Sequence, residues 1–138
     1  MYLNVEGTKS DVCTSYIERV AQHAKQCLMP NIRKLYIDIE VTDGFRDEEG
    51  INGETIYDED RYATIVVDPD QSIEEFTITI LHEMVHVKQY VMKELKDGKW
   101  KGEKYETAYT DSPWEIEAYE LEQTLFDSFL NNEIAALT

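Results

Sequence analysis

The run His82-Glu83-Met84-Val85-His86 constrains the fold of this chain most, because it lies inside a segment with the pattern of a long helix. Ser72 opens a capping box, and the apolar stripe that follows predicts a helix to about Leu95. Residues four apart share one helical face, so the two imidazoles can reach one ion. Glu83 would then lie beside that ion, where its carboxylate can accept a proton from water. The segment therefore predicts a helix with a core face and a separate metal-binding face.

Length and charge restrict the class of protein further. A chain of 138 residues fits one domain, residues 1–138. The net charge of -16, from 29 acidic and 13 basic residues, argues against a nucleic-acid backbone or an anionic membrane surface as partner. No apolar run is long enough for a membrane helix, and no signal peptide is visible at the N-terminus.

The two cysteines indicate a reducing compartment. Cys13 and Cys27 fall in one predicted helix, about 20 Å apart at the helical rise, so they cannot form a disulfide there. Two free thiols favour the cytoplasm as the location.

The periodicities along the chain predict an α+β fold. A small twisted sheet is expected to pack on an N-terminal helix, the histidine-bearing helix and a last helix that carries several glutamates. A turn-rich hairpin near Trp100 to Tyr105 is expected to add to that sheet. The predicted elements are a helix at Ser10–Leu28, strands at Lys34–Thr42 and Tyr62–Asp68 with a polar loop at Asp43–Asp60 between them, and a helix from Ser112 to about Leu130.

A catalytic zinc site usually takes three protein ligands, so a third ligand is expected outside the histidine pair. A third histidine six residues after the pair is excluded, because Met92 occupies that position, and Gln89 stands where that pattern has glycine. His23 lies off the apolar stripe of the first helix, and we interpret it as a solvent residue. The third ligand is therefore expected to be a carboxylate on the last helix.

The helical wheel of the last helix separates its glutamates. Glu115 and Glu122 fall within the apolar arc, whereas Glu117 and Glu120 fall on the polar side. A carboxylate on a buried face is unfavourable unless it is paired or bound to a metal. Glu115 is thus the first candidate ligand and Glu122 the alternative, although Glu115 could also close the helix as the fourth residue of a capping box from Ser112.

The chain resembles the gluzincin clan of zincin metallopeptidases, which pairs an HExxH helix with a later helix bearing an ExxA glutamate. Glu115-Ile116-Glu117-Ala118 matches ExxA, and the run from His82 to Glu122, with Trp100-Lys101-Gly102, looks like small phage-encoded SprT-like or minigluzincin-type proteins. The resemblance covers about residues 60–130. The chain departs from the clan at Tyr119, where some members have an aspartate, and it has no cysteine zinc ribbon.

This resemblance implies a zincin-like fold with one Zn²⁺ per chain, held by His82, His86 and Glu115. It implies that Glu83 acts as the general base in hydrolysis of extended peptides or unfolded segments, in the host cytoplasm if the protein is phage-encoded. Tyr109 and Tyr119 are the candidate oxyanion donors, and the Tyr62–Asp68 strand is the candidate edge strand for substrate. The alternatives are a catalytically silent zinc-binding protein of zincin fold with an interaction or regulatory role, and a structural protein without metal.

Overall fold

A computed structural model describes residues 1–58, 60–106 and 111–137. It confirms the α+β class, with a small mixed sheet and four helices. The elements in chain order are β1 (Tyr2–Glu6), α1 (Thr14–Leu28), β2 (Tyr36–Val41), α2 (Phe45–Glu49), β3 (Gly53–Asp58), β4 (Tyr62–Val67), α3 (Ile73–Val91), β5 (Leu95–Lys96), β6 (Lys99–Trp100) and α4 (Pro113–Ala136).

The main sheet has the strand order β1-β2-β4-β3, in which β1, β2 and β4 are parallel and β3 is antiparallel to β4. The expectation that Tyr62–Asp68 forms an edge is wrong, because β4 lies between β2 and β3. The expectation that Asp43–Asp60 is only a loop is also wrong, because this segment contains α2 and β3. The free edge beside α3 therefore belongs to β3.

Other predicted boundaries also differ from the structure: α3 ends at Val91 and not at about Leu95, and α4 continues to Ala136 and not only to about Leu130. Ser10 is not the cap of α1, because it lies in a turn that the Val12 N–H closes by donating to the Lys9 carbonyl at 3.1 Å. The helix therefore begins only after Cys13. The hairpin after α3 does not extend the main sheet, since β5 and β6 form a separate two-stranded sheet.

One hydrophobic core lies between the sheet and the three long helices. Alternate residues of β2 and β4 point into it, and α1, α3 and α4 contribute their apolar stripes. Because α3 runs through this core, the face of α3 that bears the histidines is held against β3 and α4. None of the described helices has the length and hydropathy needed to span a membrane. The largest fully buried side chains include Phe76, Phe129, Ile65, Ile80, Leu81 and Met84.

We expect Ile65→Ala to lower the free energy of unfolding by about 2–5 kcal/mol, because Ile65 is fully buried in the internal strand β4. Ile56→Ala is the matched control, since Ile56 lies in the neighbouring strand β3 and is 49% exposed. The control should lose less than about 1 kcal/mol. Urea unfolding of both variants measures the difference, and equal losses would contradict this assignment of the core.

Candidate metal centre

The central part of α3 carries three buried polar residues close together, namely His82, Glu83 and His86. Ser72 caps the helix by accepting a hydrogen bond from the Glu75 backbone N–H at 3.1 Å, as the capping box predicts. Two turns further on, His82 is 9% exposed and His86 is 6% exposed. A buried polar side chain needs a partner, so the atoms facing these imidazoles decide what the site can do.

Glu115, in the first turn of α4, faces both imidazoles. Its side chain is almost fully buried, and its Oε1 atom lies 3.3 Å from His82 Nε2 and also contacts His86 Nε2. Three candidate ligand atoms from two helices thus converge on one point. The predicted ligands His82, His86 and Glu115 are brought together by the packing of α4 against α3.

The second nitrogen of each imidazole is occupied by an acceptor. His82 Nδ1 lies 2.7 Å from Glu122 Oε2, and His86 Nδ1 lies 2.8 Å from Gln89 Oε1. Each Nδ1 therefore donates its hydrogen, which leaves the lone pair of a neutral ring on Nε2. An acceptor behind the ring that fixes the tautomer in this way is typical of histidines that bind a metal.

These contacts give Glu122 and Glu115 different places in the site. Glu122 lies behind His82, whereas Glu115 lies on the side where the two Nε2 atoms meet. His86 Nε2 is buried, and the polar atom that it meets is Glu115 Oε1. Lone pairs on Nε2 and on a carboxylate oxygen repel each other unless a cation or a proton lies between them. The donor set therefore fits a bound metal ion.

The pKa values of His82 and Glu115 show that the cluster also favours a bound proton at the place where an ion would lie. Burial lowers the pKa of His82, but the bonds to Glu115 and Glu122 outweigh burial and raise it to about 10. Burial raises the pKa of Glu115, and its bonds to His82 and His86 reverse this and lower it to about 2. The cluster thus favours a positive charge beside the Glu115 carboxylate. A metal ion would displace the protons and satisfy the same preference.

Glu83 lies beside the histidines and is held by β3. One ligand atom each from His82, Glu83 and His86 lies within 4.8 Å of the others, so this group could hold a metal ion. Thr55 Oγ1 donates to Glu83 Oε1 at 2.8 Å. Burial raises the pKa of Glu83, although the neighbouring His86 and His82 oppose the rise. The carboxylate is thus positioned and made more basic than an exposed glutamate.

Close approach of β3 to α3 depends on Gly53. A Cβ atom at this position would lie 2.7 Å from Thr79 Cγ2 and 3.1 Å from the Val66 carbonyl oxygen. The absence of a side chain lets the start of β3 lie against the helix near Glu83. A cleft of about 570 Å³ opens there, lined by His82, Glu83, Glu115, Tyr119, Glu122 and Gly53 among others.

The remaining predicted residues are placed as follows. The ring of Tyr119 lies 4.9 Å from that of His82, between centroids, and Tyr119 lines the cleft. Tyr109 lies outside the described residues. His23 is remote from the cleft; its Nε2 lies 2.7 Å from the Ser128 hydroxyl and its ring packs against Phe129. The interpretation of His23 as a solvent residue is therefore wrong, because the ring is half-buried between α1 and α4, although it lies apart from the candidate ligands as expected.

Two supporting residues were missed by the sequence analysis, and one was misplaced. Thr55 lies in the segment that was expected to be a loop. Gln89 has a signal in the sequence, because an amide three residues after a histidine on one helix is a recognisable orienting partner. Glu117, expected on the polar side of α4, is half-buried and accepts hydrogen bonds from Gln89 at 3.1 Å and Lys88 at 3.0 Å.

The assembled site offers two imidazole nitrogens and one carboxylate oxygen as ligands, with a second carboxylate next to them. His82, Glu83 and Glu115 line the cleft, so a further ligand position is open to small molecules from solvent.

Comparisons with protein-family models, with curated proteins and with solved structures found no match to this chain.

Proposed function

We propose that this protein is a zinc-dependent metallopeptidase of zincin-like fold, with His82, His86 and Glu115 as the zinc ligands. One observation carries the proposal. The Nε2 atoms of both histidines converge on Glu115 Oε1, while each Nδ1 is engaged by an acceptor behind the ring. Three nitrogen and oxygen ligands with a fourth position open to a cleft is the donor set of catalytic zinc sites.

When bound, zinc supplies a Lewis acid that polarises a carbonyl group and lowers the pKa of a coordinated water to about 7. The imidazoles and the carboxylate fit zinc, and their orienting partners Glu122 and Gln89 raise the basicity of the rings. The exposed thiols of Cys13, just before α1, and of Cys27, on α1, take no part in this donor set.

Glu83 is the proposed general base. Its Oε1 accepts the hydrogen bond from Thr55, which fixes the carboxylate and leaves Oε2 to accept the proton of the attacking water. Burial raises its pKa, so the proton is held more firmly during the attack. The same carboxyl group can then deliver this proton to the leaving amine, as a positioned acid and base does in turn.

The free edge of β3 is the proposed site for substrate. Among the described residues, β3 pairs only with β4, and it crosses the site from Gly53, in the cleft, to Thr55, beside Glu83. An extended peptide can add to such an edge through main-chain hydrogen bonds. Folded proteins already use these backbone groups in their own structure, so we propose extended peptides and unfolded segments as substrates.

Tyr119 is the proposed oxyanion donor among the described residues. It lines the cleft next to His82, and about half of its side chain is exposed. A phenolic hydroxyl beside the reacting carbonyl can donate a hydrogen bond to the oxygen on which negative charge develops.

Metal analysis of the purified protein, combined with cleavage of an unstructured peptide library, tests this proposal. We expect about one zinc per chain and cleavage that a chelator abolishes and added zinc restores. Zinc without cleavage would support the alternative of a silent zinc-binding protein. A protein free of zinc that also fails to bind added zinc would leave only a structural role for the histidines.

A further inference from the structure

The sheet has a second face that carries its own chemistry. The long helices cover one side, so that alternate residues such as Ile37, Ile39 and Ile65 are buried. The other side, called here the outer sheet face, is formed by alternate residues starting with Tyr2 in β1, Tyr36 in β2, Tyr62 in β4 and Glu54 in β3. This face lies on the opposite side of the sheet from α3 and the metal centre.

Three tyrosines form a stacked row across the outer sheet face. Tyr2, Tyr36 and Tyr62 are register partners on adjacent strands. Their ring centroids are 5.0 Å and 6.3 Å apart, and the planes differ by only 9° and 14°. Tyr2 is 67% exposed and Tyr62 is 40% exposed. Each ring covers a face of its neighbour, so the row presents ring edges to solvent together with the face of Tyr2 that is turned away from Tyr36. Exposed tyrosine rings of this kind are a feature of binding surfaces more than of a solvated sheet.

Carboxylates surround this row, and the strand positions of the outer sheet face include no lysine or arginine. The carboxylates are those of Glu6, Asp38, Glu40, Glu54 and Asp58, and no ion pair to them occurs within the described residues. Tyr62 donates its hydroxyl hydrogen to Asp38, which keeps that carboxylate beside the aromatic row. The face thus combines aromatic rings with negative charge that lacks a counter-charge.

One pair of these carboxylates is unfavourable in the isolated protein. Glu6 and Glu40 are register partners on adjacent strands, so two like charges face solvent side by side. A bound cation would relieve this repulsion. The Glu6–Glu40 pair therefore favours binding of a positively charged group to the outer sheet face, and this argument does not depend on the tyrosine row.

We propose that the outer sheet face docks an arginine-bearing segment of a partner protein. A guanidinium group stacks on aromatic rings and at the same time donates paired hydrogen bonds to a carboxylate. A lysine ammonium provides charge but cannot stack in this way. An acidic segment would be repelled, and an apolar one would bury the carboxylates without partners. Charge complementarity and the tyrosine row together select arginine.

The test measures binding of labelled synthetic peptides, in which glycine separates three arginines, three lysines or three glutamines. Glu6→Gln with Glu40→Gln removes two charges from the outer sheet face. Glu74→Gln with Glu120→Gln removes two charges from exposed positions on α3 and α4, so both double variants have the same net charge. We expect about a tenfold loss of arginine-peptide affinity in the first and less than about twofold in the second.

A third variant, Tyr2→Thr with Tyr62→Thr, tests the rings, and thermal unfolding confirms that each variant is folded. We expect the arginine peptide to bind wild type more tightly than the lysine peptide, and this preference to disappear in the tyrosine variant. Equal losses in the two charge variants would show attraction by net charge alone and overturn the proposal. An arginine-to-lysine ratio near one in wild type, or no binding of either peptide, would also overturn it.

Discussion

If the proposed function is correct, we expect Glu83→Gln to retain zinc and the fold while its kcat for peptide cleavage falls by about 10²–10⁴-fold, the usual contribution of a positioned base. The substitution preserves the shape of the side chain and its contact with Thr55, because an amide oxygen can accept that hydrogen bond. It removes only the ability to take a proton. Cleavage of a fluorogenic peptide, measured together with zinc content, checks the prediction.

Glu75→Gln is the matched control for this substitution. Glu75 is exposed on the same helix, lies two turns before His82 and lines the same cleft. The control loses the same charge but no contact with the histidines, so its kcat should stay within about twofold of wild type. Cleavage by Glu83→Gln at the wild-type rate would exclude Glu83 as base. Loss of zinc from Glu83→Gln would instead identify this residue as a ligand.

The fold was predictable where a segment buries one strongly apolar face. The stripe of α3 and the alternation of β2 and β4 are visible in the sequence because each element has a buried side and a polar side. In β3 the inward positions are Gly53, Thr55 and Tyr57, which give no apolar alternation. Pairing with β4 and contact with α3 hold this strand in place, and these long-range contacts outweigh local preference.

The site was predictable to the extent that it depends on spacing within one helix. The shared face of His82 and His86 follows from helical geometry, and the apolar arc of the last helix distinguishes Glu115 from Glu120. Which glutamate meets the two Nε2 atoms, Glu115 or Glu122, depends on how α4 packs across α3. The sequence contains no local signal of that packing. The same reason explains why Thr55, which comes from another element, was missed.

We expect Glu115→Ala to weaken zinc binding by more than about 100-fold, the upper end of what loss of a partner behind a ligand causes. Its Oε1 is the only carboxylate oxygen of the described residues at which both Nε2 atoms meet. Glu115→Gln is a second variant that keeps the side-chain volume at this buried position, so a loss of zinc can be separated from a loss of fold. Zinc titration with a competing chelator and thermal unfolding measure the two effects.

Glu122→Ala and Glu120→Ala complete the comparison along the same helix. Glu122 orients His82 through Nδ1, so its removal should weaken zinc binding by about 10–100-fold and leave the ligand set intact. Glu120 is exposed, and its removal should leave zinc affinity unchanged. The order of effect is therefore Glu115, then Glu122, then Glu120. Wild-type zinc content in Glu115→Ala together with its loss in Glu122→Ala would assign the third ligand to Glu122, and would require α4 to turn relative to α3 when the metal binds.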